Sequence, residues 1–192
     1  MESIEFIQKL IENNIKIFSF TDLKKLLKTH NDNTAYKFIQ RLIEKKIVQR
    51  LKNGLYVYGV NFLDDFQIAN FLYTPSYVSV ESALSFYGIL SQFPYTITSV
   101  TPKKSKKIIF NKKVFEYIHI EPKYFYGYIK QKNFLIACKE KALVDTLYLV
   151  SKGIRKITLD ELDLSGIDRR VFYEYVKNYS FIPLKKLAAK IL

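Results

Sequence analysis

The pair Asn53-Gly54, set between two short β-rich runs, constrains this chain more than any other feature. Asn-Gly is a strong hairpin signal, so Lys52-Asn53-Gly54 closes a hairpin between residues 47–51 and Leu55–Tyr58. The chain before the hairpin is patterned for helices. Leu23, Leu26 and Leu27 form one apolar stripe. Ala35, Phe38, Ile39, Leu42 and Ile43 form another at i, i+3, i+4, i+7 and i+8, which predicts a helix over residues 33–45. His30 to Asn33 makes the turn between the two helices, and Asn31 or Asp32 caps the second of them.

Further upstream, Ile4, Phe6, Ile7, Leu10 and Ile11 recur at helical spacing and predict an amphipathic helix over residues 3–13, ended by Asn13-Asn14. Residues 15–18 are a short β-like piece able to pair with the hairpin. Thr21 is the expected N-cap of the next helix, with Asp22 complementing its dipole. Helix, turn, helix and two-stranded ribbon together outline a winged helix-turn-helix. We therefore expect a domain over residues 1–59.

The side of the third helix away from its apolar stripe carries Thr34, Tyr36, Lys37, Gln40 and Arg41. Arginine pairs with guanine O6 and N7 through two hydrogen bonds, and glutamine with adenine N6 and N7. Lys37 and Thr34 suit phosphates or base edges, and the helix N-terminus attracts phosphate. Arg50, Lys52 and Asn53 stand at or near the hairpin tip. Residues 31–59 hold six Lys/Arg against two acids. The competing reading is a solvated helix face in a module that binds protein.

Composition agrees with a polyanionic partner. The net charge is +13 and the pI ≈ 9.6. A Lys-rich, merely solvated surface gives the same numbers. A hydrophobic content of 48% excludes a disordered chain. One cysteine, Cys138, excludes an internal disulfide framework and fits a reducing compartment. Met1-Glu2-Ser3-Ile4-Glu5 lacks the apolar core of a signal peptide, and no apolar run approaches the ~20 residues of a membrane helix. A soluble, cytoplasmic protein with no membrane partner is expected.

From residue 60 the pattern is mixed α+β and predicts a second domain over 60–192, joined tightly to the first near Gly59 to Asn61. Helices are expected at 64–73, stopped by Pro75, and at 80–87, capped by Ser79 and closed by Gly88. Another is expected at 139–150, with Ala142, Leu143, Leu147 and Tyr148 inward, and two more at 168–178 and 183–191. Strands are expected at Ile97–Thr101, 107–110, 114–120 and Phe134–Ala137. Lys103, Lys104, Lys106, Lys107, Lys112 and Lys113 form a second basic cluster. It extends a DNA footprint, docks an acidic protein, or guards a strand edge. The 15 Tyr and 15 Phe mostly follow apolar faces and read as core rather than as base-stacking platforms.

Catalytic signals are weak. His30 and His119 make no metal pair, and Cys138 lacks a neighbour at zinc spacing. Six scattered glycines make no phosphate-cradling loop. A nuclease site built from Glu121, Glu140 and Lys141 lacks the acid spacing such a site needs. No metal or cofactor is expected.

Several segments carry a family resemblance. Residues 52–56 (Lys-Asn-Gly-Leu-Tyr) are similar to the wing end of the AbiEi-type antitoxins of bacterial type IV toxin–antitoxin, or abortive infection, systems. The run from Tyr73-Thr74-Pro75-Ser76-Tyr77 through Ser82-Ala83-Leu84-Ser85-Phe86-Tyr87-Gly88 resembles the pattern after that wing. So do Ser99-Val100-Thr101, Phe125-Tyr126-Gly127-Tyr128, and residues 137–145 from Ala137-Cys138-Lys139 to Val144-Asp145. The likeness spans about residues 18–150. Lys45-Lys46 departs from it, standing where many winged helices carry a glycine. The resemblance implies a phage-defence antitoxin with no enzyme activity of its own. Its winged helix binds inverted repeats in double-stranded DNA of its own promoter and represses transcription. Its C-terminal domain neutralises a cognate nucleotidyltransferase-like toxin. Ala83 and Leu84 then pack, and the Glu140–Asp145 segment is a core helix with a charged outer face. The rival readings are a regulator with a ligand- or signal-sensing C-terminal domain and, less favoured, a metal-dependent nuclease.

Overall fold

The computed structural model describes residues 3–59, 63–92 and 94–192. It is mixed α+β, with two sheets among the described residues. Internal contacts divide the chain into two units, Met1–Asp64 and Asp65–Leu192. Most of the joint expected at Gly59 to Asn61 lies outside the described residues.

Unit 1 runs α1 (Ser3–Glu12), β1 (Ile17–Ser19), α2 (Phe20–Leu27), α3 (Asp32–Glu44), β2 (Val48–Lys52) and β3 (Leu55–Tyr58). The hairpin forms at Asn53-Gly54, with Gly54 at φ 70°, a conformation that costs glycine little. β1 adds to its far edge, so the order is β1-β3-β2, all antiparallel. The β2–β3 register shifts between Arg50 and Lys52, a bulge beside the turn. The core is aromatic. Phe6 meets Phe18 and Phe38 edge-to-face at 5.7 and 5.3 Å, and Phe18 stacks on Tyr56 at 5.8 Å. Burying such a ring contributes about 1.5–3 kcal/mol.

Two local expectations change. In α1, Phe6 and Leu10, one turn apart, take the buried line, leaving Ile4 and Ile11 outside at 68% and 59% exposure. The N-cap of α2 is Ser19, not Thr21. Ser19 Oγ accepts from the Asp22 N–H at 3.1 Å while the Ser19 N–H donates to the Asp22 carboxylate at 2.9 Å, a reciprocal capping box. The cap sits earlier because β1 runs directly into the helix. Of the two candidates before α3, Asn31 is the cap, its Oδ1 accepting from Thr34 N–H at 3.1 Å. Lys46 turns the chain out of α3 at φ 57°, a left-handed conformation that glycine adopts more cheaply.

Unit 2 runs α4 (Asp65–Leu72), β4 (Tyr77–Val78), α5 (Val80–Phe86), β5 (Ile97–Thr101), β6 (Lys106–Phe110) and β7 (Lys113–His119). It continues with β8 (Tyr128–Gln131), β9 (Phe134–Ala137), α6 (Lys139–Ser151), α7 (Arg169–Lys177) and α8 (Ile182–Ile191). Its sheet has the order β6-β7-β5-β4-β9-β8, with β5–β7 and β4–β9 parallel and the other pairs antiparallel. β4 and β8 have no counterpart in the sequence reading. β4 is two buried residues, and β8 exposes Tyr128, Ile129 and Lys130 in succession, so neither shows the alternation that marks a half-buried strand. Their pairing with β9 defines them.

α6 packs against α5, α7 and α8. It is buried continuously from Glu140 to Leu149, including Lys141 and Asp145. The charged outer face expected of this helix does not exist, because neighbours cover both sides. Ser79 precedes α5 without a capping bond; its hydroxyl donates to Asp145 instead, at 2.9 Å. No helix of the described residues is long and apolar enough to cross a membrane.

Candidate nucleic-acid interface

α3 is amphipathic because its apolar residues keep helical spacing and its first turn is capped by Asn31. Ala35, Phe38, Ile39 and Leu42 are buried, and Thr34, Tyr36, Lys37, Gln40 and Arg41 are all exposed. The structure therefore brings the five residues to the outward side of one helix. Within that side they differ. The Tyr36 ring lies 4.5 Å from Phe20, so it is also a packing element. Arg41 folds along its own helix, its Nε donating to Lys37 O at 3.4 Å and its guanidinium 5.9 Å from the Phe38 ring. Pairing with a base requires it to swing away. Asn33 and Glu44 join Lys37 and Gln40 on the exposed line i, i+4, i+7, i+11, and Asn33 is a polar base-reading candidate that the sequence reading passed over. Its spacing from Lys37 was the available signal. Asp32 is engaged by Lys24 of α2 at 2.6 Å, which offsets one of the two acids of this segment.

Arg50, Lys52 and Asn53 are exposed at the end of the β2–β3 ribbon. The Arg50 guanidinium lies 6.0 Å from the Tyr56 ring centroid, at the outer limit of a cation–π contact, and the residue stays exposed.

The six lysines from Lys103 to Lys113 lie on or beside the β6–β7 hairpin, all exposed. They are not equally available. Lys107 pairs with Glu116 at 3.1 Å, Lys113 with Asp65, and Lys103 Nζ donates to Thr74 O at 2.6 Å. Lys103 and Lys106 both stand 5.6 Å from the Tyr73 ring. Burial pushes the Glu116 carboxyl up, but hydrogen bonds from Arg155 and Lys107 outweigh it and hold the group below its usual range. β6 is also an edge strand, so the lysines occupy the position where charge blocks strand addition. Unit 2 carries most of the surplus charge, with 20 Lys/Arg against 11 Asp/Glu, compared with 11 against 7 in unit 1.

The most elaborate polar cluster of unit 2 lies inside it. Lys141 Nζ pairs with Asp145 and reaches the hydroxyls of Tyr77 and Tyr179, each at 3.1 Å. Tyr77, Ser79 and Tyr179 donate to the Asp145 carboxylate at 3.0, 2.9 and 3.2 Å. Burial, then the Asp145 charge, raises the Tyr77 and Tyr179 phenols well above their ordinary value. The cluster is sealed from water and has the character of a structural network. The Lys141–Asp145 spacing is visible in sequence as an i, i+4 pair, and the structure places it inside rather than on an outer face.

Glu121, Glu140 and Lys141 hold separate partners. Glu121 accepts from Tyr148 at 3.1 Å and Lys123 at 2.9 Å, Glu140 accepts from the Asp168 N–H at 3.2 Å, and Lys141 belongs to Asp145. His30 lies between α2 and α3, and the His119 ring contacts Lys103 O at 3.0 Å. Among the described residues no three His, Cys, Asp or Glu side chains are grouped to hold a metal ion. A comparison with models of protein families gives no match, and neither does a comparison with curated proteins.

Proposed function

We propose that the chain is a DNA-binding autorepressor that also serves as the antitoxin of a type IV toxin–antitoxin pair. In this reading unit 1 is a winged helix. α3 enters the major groove with Thr34, Tyr36, Lys37, Gln40 and Arg41, and the β2–β3 ribbon holds the adjacent backbone through Arg50, Lys52 and Asn53. One observation carries the DNA half: a capped helix turns an exposed Lys, Gln and Arg face outward, and a hairpin with a basic tip follows it directly. The antitoxin half is supported by the sequence resemblance across residues 18–150 and assigns unit 2 to a nucleotidyltransferase-like toxin.

A footprint of the purified protein on the DNA upstream of its own gene, at near-physiological salt and against scrambled competitor, tests the first half. Protection of paired, inverted half-sites supports it. Salt-sensitive coating without a defined footprint overturns it and leaves unit 1 as a protein-docking or non-specific module. Growth rescue and co-purification with the product of the adjacent gene test the second half. A neighbouring gene whose product is harmless overturns it.

A further inference from the structure

The sheet of unit 2 ends at β6, so one side of that strand's backbone has no partner strand among the described residues. β6 and β7 are joined by the two-residue turn Asn111-Lys112, with φ of 49° and 64°. Such a turn makes Phe110 and Lys113 the first hydrogen-bonded pair of the ladder. Alternation from that pair leaves the N–H and C=O of Lys107 and Ile109 aimed away from β7. The free edge is a row of donors and acceptors that another strand can meet.

The side chains of β6 divide into two halves. Lys106 and Lys107 open the strand, and Ile108, Ile109 and Phe110 close it. Ile109 is 75% exposed, more than any other large hydrophobic residue among those described. An isoleucine in water works against an edge built only to repel strands. Glu116 and Asp65 engage Lys107 and Lys113, whereas Lys104, Lys106 and Lys112 have no acid partner among the described residues.

Charge selects the occupant of this edge. A second copy brings the same lysines with it, and like charges across a strand pair are destabilising. Phosphates suit the lysines but face the outward carbonyls of β6 and leave Ile109 uncovered. An acidic strand answers the lysines, the amides, the carbonyls and Ile109 together.

We propose that β6 takes an extended segment of a partner protein as an added strand, one in which two adjacent acids stand beside two or three apolar β-formers. The acids meet Lys106 and Lys107, the apolar residues cover Ile109 and its neighbours, and the segment's backbone pairs with Lys107 and Ile109. The lysines that keep out like-charged strands admit this one. The assignment concerns unit 2 alone and stands whether or not the segment belongs to a toxin.

The probe is a synthetic peptide with blocked ends, Thr-Val-Ile-Val-Glu-Glu-Thr, titrated into the full chain and followed by backbone amide NMR and hydrogen exchange. Saturable shifts centred on β6 are expected, and the Lys107 and Ile109 amides should exchange at least about 10-fold more slowly in the complex. The same peptide methylated on its three central backbone nitrogens keeps the charge and loses the donors, and should bind about 10-fold more weakly. Ile109→Thr, a β-prone change at an exposed position, should weaken the unmethylated peptide about 3- to 10-fold. No saturable binding, equal binding of the methylated peptide, or unprotected Lys107 and Ile109 amides overturns the proposal. Duplex DNA that shifts the β6 amides at lower concentration than the peptide also overturns it and assigns the hairpin to nucleic acid.

Discussion

Lys141 and Asp145 stand one helical turn apart on α6 and pair inside unit 2, with neither side chain exposed at all. Water cannot screen or replace either charge there. Two phenols and a serine hydroxyl complete the hydrogen bonding of the carboxylate. Removing one ion leaves the other buried without its counter-charge, which typically costs about 3–5 kcal/mol. Lys141→Met should destabilise unit 2 by an amount of that order, seen as a lower denaturation midpoint. Lys141→Met combined with Asp145→Leu should recover part of the loss, since a fully apolar replacement is far less costly. Unchanged chemical denaturation of Lys141→Met would contradict this account of the core.

The neighbouring Gly127 makes a separate point. A methyl group added there would lie 2.8 Å from Tyr175 and 2.9 Å from Lys141, at a φ of +75°. Gly127→Ala should destabilise unit 2 by more than about 1 kcal/mol, through positive-φ strain as well as displacement of the Lys141 stem. Thermal melting checks it, and a wild-type midpoint would show that both neighbours yield freely.

In the proposed DNA-binding reading, Arg41 on α3 pairs with guanine once it leaves its contact with Lys37 O. Arg41→Ala should weaken binding to the operator by about 1–3 kcal/mol and relax preference at one base position. Competition binding against single-base operator variants measures both effects. Equal affinity of variant and wild type for the operator would remove Arg41 from the reading face.

In the same proposed DNA-binding reading, Lys52 at the ribbon tip meets phosphate rather than bases. Lys52→Ala should weaken all duplexes alike and reduce the slope of log affinity against log salt by about 0.9. A loss confined to the operator would show that Lys52 reads sequence.

The capping box of α2 gives a prediction in pH. Hydrogen bonds from the Ser19 hydroxyl and N–H hold the Asp22 carboxyl below its ordinary range. Its contribution is therefore present above the ordinary carboxylate range and is lost as the pH falls through the depressed folded value. Ser19→Ala should cost about 0.5–2 kcal/mol at neutral pH. The gap from wild type should narrow on acidification. A gap that widens toward acid would have the wrong sign for this carboxylate.

Legibility in the sequence followed how far each signal was local. The hairpin at Asn53-Gly54 and the apolar stripe of α3 were readable because turn chemistry and a 3.6-residue period act within a dozen residues. Ser19 as a cap was missed because β1, short and set by pairing with β3, shifts the helix start. The burial of Lys141 and Asp145 was missed for a different reason. Charge at i, i+4 normally marks a solvated face, and here only the distant Tyr77 and Tyr179 reveal that it does not. The exposure of Thr34, Tyr36, Lys37, Gln40 and Arg41 on α3, and of Arg50, Lys52 and Asn53 on the ribbon, could be read from spacing alone. The folded-back posture of Arg41 and the Tyr36–Phe20 contact could not, since both depend on rotamers.

The two-residue strand β4 has a bearing on how the chain is made. Val78 is bracketed by Ser99 on one side and by Ile136 on the other. Its second neighbour leaves the ribosome only after β5, β6, β7 and β8 have been synthesised, so the middle of this sheet stays half-paired until β9 is made. The sheet of unit 1 draws every partner from between Ile17 and Tyr58. Short-range pairing of that kind closes early, whereas pairing across long stretches is slow and leaves apolar edges open to aggregation. The nascent polypeptide is therefore most in need of chaperone protection between the emergence of β4 and the arrival of β9.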